Sequence, residues 1–190
     1  MVKAKTKAYQ EKVFVLLKNL FGNKNVEIEW SVAKESTDAF TRELYRPRLD
    51  LAIGPFNNDG NVDLNKQRIE TAISKHQDLI LGLFNHSEFR SFDINDFLAK
   101  KNENPRCFLA IEIENSGSSK HMLGNIANVS ILGSIGIVVP FNQNRLSLCK
   151  RIKKYFSFAA QVGKIDDVFQ NVLIINKDKF WGVIKDFSAK

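Results

Sequence analysis

Three acidic residues stand where the surrounding pattern calls for apolar ones. In Leu49-Asp50-Leu51-Ala52-Ile53, strand alternation puts Leu49, Leu51 and Ile53 on one face and leaves Asp50 with the small Ala52 on the other. In Leu109-Ala110-Ile111-Glu112-Ile113-Glu114, the same rule places Glu112 and Glu114 together, beyond Ala110. Carboxylates in strands this apolar are costly to desolvate, and they repel one another. A divalent cation resolves both problems. Mg2+ (or Mn2+) takes hard oxygen ligands, one or two carboxylates and a backbone carbonyl, and keeps waters that a substrate phosphate can replace. The carbonyl of Ile113, between the two glutamates, is placed to be such a ligand. The alternative is that Asp50, Glu112 and Glu114 lie at fraying strand ends and face water, which the apolar flanks oppose for all three together. The turn Ser116-Gly117-Ser118-Ser119-Lys120 follows at once. It leads into a helix N-terminus, whose free N–H groups favour an anion, with Lys120 in reach of the same strand end.

The charge balance suits an anionic partner. The 190 residues hold 28 Lys+Arg against 21 Asp+Glu, a formal +7. From Asn57 to Arg106 there are seven basic and eight acidic residues, so the excess lies elsewhere. Residues 1–26 carry Lys3, Lys5, Lys7, Lys12, Lys18 and Lys24 against Glu11 alone. Residues 145–164 carry Arg145, Lys150, Arg151, Lys153, Lys154 and Lys164 with no acid. Either stretch alone reads equally as a solvated helix face; two on one fold favour a surface that tracks phosphates. With two cysteines, Cys107 and Cys149, a disulfide scaffold and a Cys-rich zinc module are excluded. No apolar run approaches the roughly 20 residues of a membrane span, and no signal-peptide core is present, so a soluble, cytoplasmic domain is expected. Neither a phosphate-cradling G-x-x-x-x-G-K-[ST] loop nor a dinucleotide G-x-G-x-x-G occurs.

The elements that must position these residues are legible from periodicity. Val13, Leu16, Leu17, Leu20 and Phe21 recur at helical spacing before Gly22. Asn25 to Val32 alternates, with Val26, Ile28 and Trp30 on one face and Glu27 and Glu29 on the other. A second strand, Arg48 to Ile53, ends at Gly54-Pro55. Val62, Ile69, Ile73, Ile80 and Phe84 predict one long amphipathic helix, with a shorter one after Asp93. Then come a strand over Cys107–Glu114, a helix over 120–132, a doubly covered strand over Ile135–Val139 and a basic helix over 146–162 with Ile152, Tyr155, Phe156 and Ala159 inward. Asn171–Ile175 reads as a last strand, and Phe180 and Trp181 as an irregular aromatic tail. The expected class is α/β: one domain over 1–190, a mixed central sheet with helices on both faces, and a helical insertion at about 57–106.

This order of elements, with its acids, resembles the PD-(D/E)XK nuclease superfamily, the restriction-endonuclease-like fold. That core runs helix, three strands, helix, strand, with Asp on the second strand and (Asp/Glu)-x-Lys on the third. Here Tyr45-Arg46-Pro47-Arg48-Leu49-Asp50 matches the first half of the motif and Glu112-Ile113-Glu114 the second. Glu114 stands where the family usually has Lys; some restriction enzymes carry Glu-x-Glu, and in other members the lysine has moved to the next helix, a role open to Lys120 here. The resemblance implies Mg2+-dependent hydrolysis of phosphodiester bonds, most like a restriction-type DNA endonuclease. Asp50 and Glu112 would hold the metal, Glu114 would complete its coordination or deprotonate the attacking water, and Lys120 would stabilise the phosphate. It also implies nucleic acid, DNA first, as partner, no membrane, and a homodimer if both strands are cut. A nuclease fold that binds nucleic acid without cutting it is the alternative reading.

Other residues carry weaker signals. Glu43 is a further candidate ligand, and Glu11 reads as a solvated helix position. His121 is a candidate phosphate contact; His76 reads as structural and His86 as a loop residue. Arg46 and Arg48 suit either phosphate or solvent, and Phe56 and Phe141 either base stacking or, preferably, packing.

Overall fold

Short runs of Ile, Val, Leu and Ala build a sheet because alternate residues can bury on two faces at once. The computed structural model describes residues 2–31, 47–57, 61–88, 93–115, 117–166 and 168–189. Glu43, Tyr45, Arg46 and Ser116 lie outside the described residues. In chain order come α1 (Val2–Phe21), β1 (Val26–Ser31), β2 (Arg48–Ile53), α2 (Val62–Lys75), α3 (Gln77–Asn85), α4 (Ile94–Ala99), β3 (Cys107–Glu114), α5 (Ser119–Leu132), β4 (Gly133–Pro140), α6 (Gln143–Gln161), β5 (Val172–Ile174) and α7 (Lys177–Ser188). The strands lie side by side in the order β1-β2-β3-β4-β5. The first two pairings are antiparallel and the last two parallel, which makes the sheet mixed. The parallel pairs are joined by the crossover helices α5 and α6.

Each face has its own core. Leu51, Ile53, Ile111, Ile137 and Leu173 pack with Val13 and Leu17 of α1, Leu83 of α3 and Phe180 of α7. Ile69 of α2 and Phe97 of α4 join this same cluster, so the insertion adds to the main core. On the opposite face, Ala52, Ala110 and Val138 lie beneath Met122, Ile126 and Val129 of α5, beside Leu146 and Cys149 of α6. Asn61, Asp93, Ser118, Asn142 and Asn176 cap the helices that follow them, each side chain accepting from an otherwise unpaired backbone N–H. Among the described residues, no helix is long and apolar enough to cross a membrane.

Four details depart from the sequence reading. The long insertion helix breaks at His76, where φ −114° and ψ 24° leave the helical region. The break brings the imidazole against Phe21 (4.5 Å between ring centres), with Phe108 beyond it at 6.2 Å. The aromatic tail is α7, started by the Asn176 cap and held by the helically spaced Phe180, Val183 and Ile184. Tyr155 points outward at 64% exposure, while Ala159 is buried as expected. Finally, Trp30 and Leu49 do not share a face with Val26, Ile28, Leu51 and Ile53; they pack in the α5-side cluster. On β1 the alternation breaks at Glu29, whose φ of 51° is left-handed, and Leu49 of β2, opposite Trp30, packs on the same side. Trp30 then stacks on Phe56 at 5.4 Å, so Phe56 is a packing residue.

Close approach of α5 to the sheet depends on missing side chains. A Cβ at Gly136 of β4 would come within 2.9 Å of the Val129 backbone of α5, and its sheet neighbour Ala110 is also small. Gly136→Ala should therefore push α5 outward and cost about 1–3 kcal/mol in denaturant unfolding. An unchanged midpoint would show that α5 is not held this close.

Candidate active site at a fork between two strands

The register of the sheet brings acids from three strands into one row. Leu51 faces Ile111 and Ala52 faces Ala110, so the next position outward sets Asp50 opposite Glu112. On the other edge of β2, Ile28 faces Leu51 and Trp30 faces Leu49, which sets Glu29 opposite Asp50. Neither of these two positions is part of the backbone ladder. Like charges directly opposite each other destabilise strand pairing, and here the pairing gives way. Beyond Ile111, β2 and β3 part, while β3 stays paired with β4 as far as Glu114.

The groups freed by the fork are taken up in specific ways. The Ile113 N–H donates to Asp50 Oδ2 at 2.7 Å. In an extended strand the carbonyl of a residue points the same way as its N–H, so the Ile113 carbonyl also faces the fork. The Asp50 carbonyl accepts from Gln10 Nε2 at 2.8 Å, and the same amide reaches Glu29 Oε1 at 3.2 Å. Gln10 comes from α1 and is buried. Asn115, just past β3, donates to Thr6 Oγ1 of α1 at 2.9 Å and ties the strand end to that helix. Glu114 is 1% exposed, and its Oε2 accepts from Asn125 Nδ2 of α5 at 2.8 Å.

The acids share a strained electrostatic setting. Burial raises the Glu112 carboxyl well above the ordinary glutamate range, and the charges of Asp50, Glu114 and Glu29 add to it. Burial also raises Asp50, with the Ile113 N–H pulling the other way. Glu112 and Asp50 are hydrogen-bond partners, and both carboxyls lie above their ordinary range. Among the described residues, no three His, Cys, Asp or Glu side chains are drawn up as a metal cage. The donor set still fits a hard divalent cation: two adjacent carboxyls and a backbone carbonyl facing one gap, all oxygen, with a proton to displace.

The fork opens into a cleft of about 740 Å³, lined by Asp50, Glu112 and Glu114 and bordered by Lys7, Arg48 and His121. Asp50, Glu112, Ile113 and Glu114 thus come together. Lys120 does not join them: it is exposed on α5 and does not line the cleft, whereas its neighbour His121 does. Glu11 is exposed, and His86 binds the Gly82 carbonyl through Nδ1 at 2.8 Å, away from the cleft. Phe141 packs edge-on against Tyr9. The residues the sequence reading missed are Gln10 and Glu29; Lys7 belongs to the basic N-terminal stretch it singles out. Alternation within β1 places Glu29 on an exposed face, and only cross-strand register reveals it opposite Asp50. Arg48 Nε holds its other oxygen at 3.0 Å.

Comparison with protein-family models, with curated proteins and with solved structures returns no match for this chain.

Two outcomes follow from this geometry. In the fold, Glu112 holds a proton that the unfolded chain releases at lower pH. Without metal, the contribution of Glu112 to stability is therefore fully present below the ordinary glutamate range and is lost as pH rises through the folded value. Glu112→Gln keeps a donor to Asp50 and removes this penalty, so thermal unfolding in EDTA should show a higher Tm than wild type at pH 7 and no gain at pH 4. Equal Tm values across that range would mean that Glu112 is not strained. Gln10→Ala leaves the Asp50 carbonyl without its amide and should cost about 1–3 kcal/mol in the same assay.

Proposed function

We propose that the protein is a metal-dependent nuclease that hydrolyses phosphodiester bonds in nucleic acid, most like a restriction-type DNA endonuclease of the PD-(D/E)XK superfamily. The observation that carries the proposal is the pair Asp50 and Glu112, opposed at the point where β2 and β3 part, with the Ile113 backbone turned into the gap. The helix, three strands, helix, strand order supports it, as do acids on the second and third strands.

Asp50, Glu112 and the Ile113 carbonyl would hold Mg2+ or Mn2+. When bound, such an ion polarises a phosphate and lowers the pKa of its bound water. The chain's own residues do the rest. Gln10 fixes the Asp50 backbone, and the Ile113 N–H orients the Asp50 carboxylate. Glu114, oriented by Asn125, lines the same cleft and would act as proton acceptor. Lys7 would balance phosphate charge and His121 would offer a ring N–H at the cleft border, while Lys120 lies outside the cleft. One such site cuts one strand, so cutting a duplex takes two copies of the chain.

A non-cutting module that binds nucleic acid is the second reading. It is favoured by Glu114, which stands where a lysine is usual and is tied to Asn125. Supercoiled plasmid incubated with Mg2+ or Mn2+ separates the two. Nicking or linearisation that EDTA stops, and that Asp50→Ala or Glu112→Ala lowers by about 10³-fold or more, is the expected result. Intact plasmid under every metal, with salt-sensitive binding retained, would leave the non-cutting reading.

A further inference from the structure

A second surface on the chain has the composition of a nucleic-acid platform and lies beside the cleft. Helix α6 starts just past the residues of β4 that pair with the end of β3, where Glu114 faces Pro140. Its first turn is therefore at the sheet edge that carries the fork. There Arg145 lies over Gly117, close enough that a Cβ at Gly117 would stand 3.5 Å from Nη2. Arg145 Nε is buried with no hydrogen-bond partner. Arg145 and Arg151 line one hollow of about 410 Å³ together with Gly117 and Ser119.

Further along, Arg151, Lys154, Tyr155 and Phe158 are three or four residues apart and so share one face. All four are exposed; Tyr155 and Phe158 are 64% and 58% accessible. The Tyr155 ring is braced. It meets Phe156 edge-on at 5.4 Å, and Phe156 meets Phe169 at 4.9 Å. The other basic residues of this helix are engaged elsewhere: Lys150 pairs with Glu88 at 2.9 Å, and Lys153 is buried against the Val172 carbonyl. Because residues 145–164 include no acid, two copies of this face would repel each other across a twofold axis. Exposed rings between cations suit an anion that also offers flat apolar faces, and unpaired bases on a phosphate backbone are such a ligand.

We propose that the outer face of α6 binds a single-stranded segment of nucleic acid, with Arg145, Arg151 and Lys154 on phosphates and Tyr155 and Phe158 stacked on bases. At 1.5 Å per residue, Arg145 to Phe158 spans about 20 Å, room for roughly six stacked nucleotides. This deepens the nuclease reading and rests on it only for where the scissile phosphate lies. It makes the substrate a nucleic acid with an unpaired flank leading away from the fork.

The test is fluorescence anisotropy of the full chain in EDTA, with labelled oligothymidylate and a blunt duplex of the same length over a range of NaCl. The oligothymidylate should bind more tightly than the duplex. Tyr155→Ala with Phe158→Ala should weaken its binding about tenfold or more at an unchanged salt slope. Arg151→Gln with Lys154→Gln should weaken it and flatten the log–log slope by about 1.4. Tyr155→Phe with Phe158→Tyr should retain binding, which separates stacking from misfolding. Unchanged affinity in the ring-deleted variant, with wild-type circular dichroism and Tm, would overturn the proposal. So would ring-dependent capture by phosphatidylserine vesicles without oligothymidylate binding. Cleavage in Mg2+ is scored separately, so failure at the fork and failure at α6 are distinguishable.

Discussion

Like-charged side chains set opposite each other on adjacent strands oppose the pairing of those strands, and Asp50 has an acid on each side. The ladder yields at both contacts, and the site is built from what that frees. The left-handed Glu29 turns Trp30 to the far face, where Leu49 opposite it also packs, so the distortion reaches the core beneath it. Ile113 loses its strand partner and gives its N–H to the Asp50 carboxylate, while Gln10 takes up the Asp50 carbonyl. A regular sheet here would have paired all these backbone groups and left no gap between β2 and β3.

The surrounding packing keeps that gap from collapsing or flooding. On the α5 side, Ala52, Ala110 and Gly136 let the helix lie close to the strands, which brings Asn125 within hydrogen-bond reach of Glu114. On the other side, α1 supplies Thr6, Lys7 and Gln10, with Gln10 one turn after the other two. Both helices are anchored by the two cores, one of which also holds the Ile113 side chain. Removing a site carboxyl should thus change electrostatics far more than architecture, since the burial that raises Glu112 comes from this scaffold.

Much of this was legible in the sequence because it is local. Alternation located the strands, and acids interrupting that alternation located Asp50, Glu112 and Glu114. The serine turn before Lys120 marks the start of α5 in the sequence, whereas the Asn176 cap, and α7 with it, is not read there. What stayed hidden depends on relations between elements. Glu29 looked solvated because its own strand alternates cleanly, and its position opposite Asp50 is a matter of register. Gln10 carries no motif, and its role arises from the angle at which α1 crosses β2. Lys120 was in plausible reach along the chain, yet the first turn of α5 directs His121, not Lys120, toward the cleft. Tyr155 fitted the inward periodicity of its helix but sits at the edge of the buried stripe, where a small rotation decides its exposure.

The central proposal is that Asp50 and Glu112, hydrogen-bonded to each other in the metal-free protein, bind a divalent cation between them. A crystal soaked in Mn2+ at neutral pH tests it most directly, through the anomalous difference map. The account predicts a peak between the two carboxylates, within coordination distance of the Ile113 carbonyl. A map with no peak there, with Asp50 and Glu112 still hydrogen-bonded to each other, would contradict it.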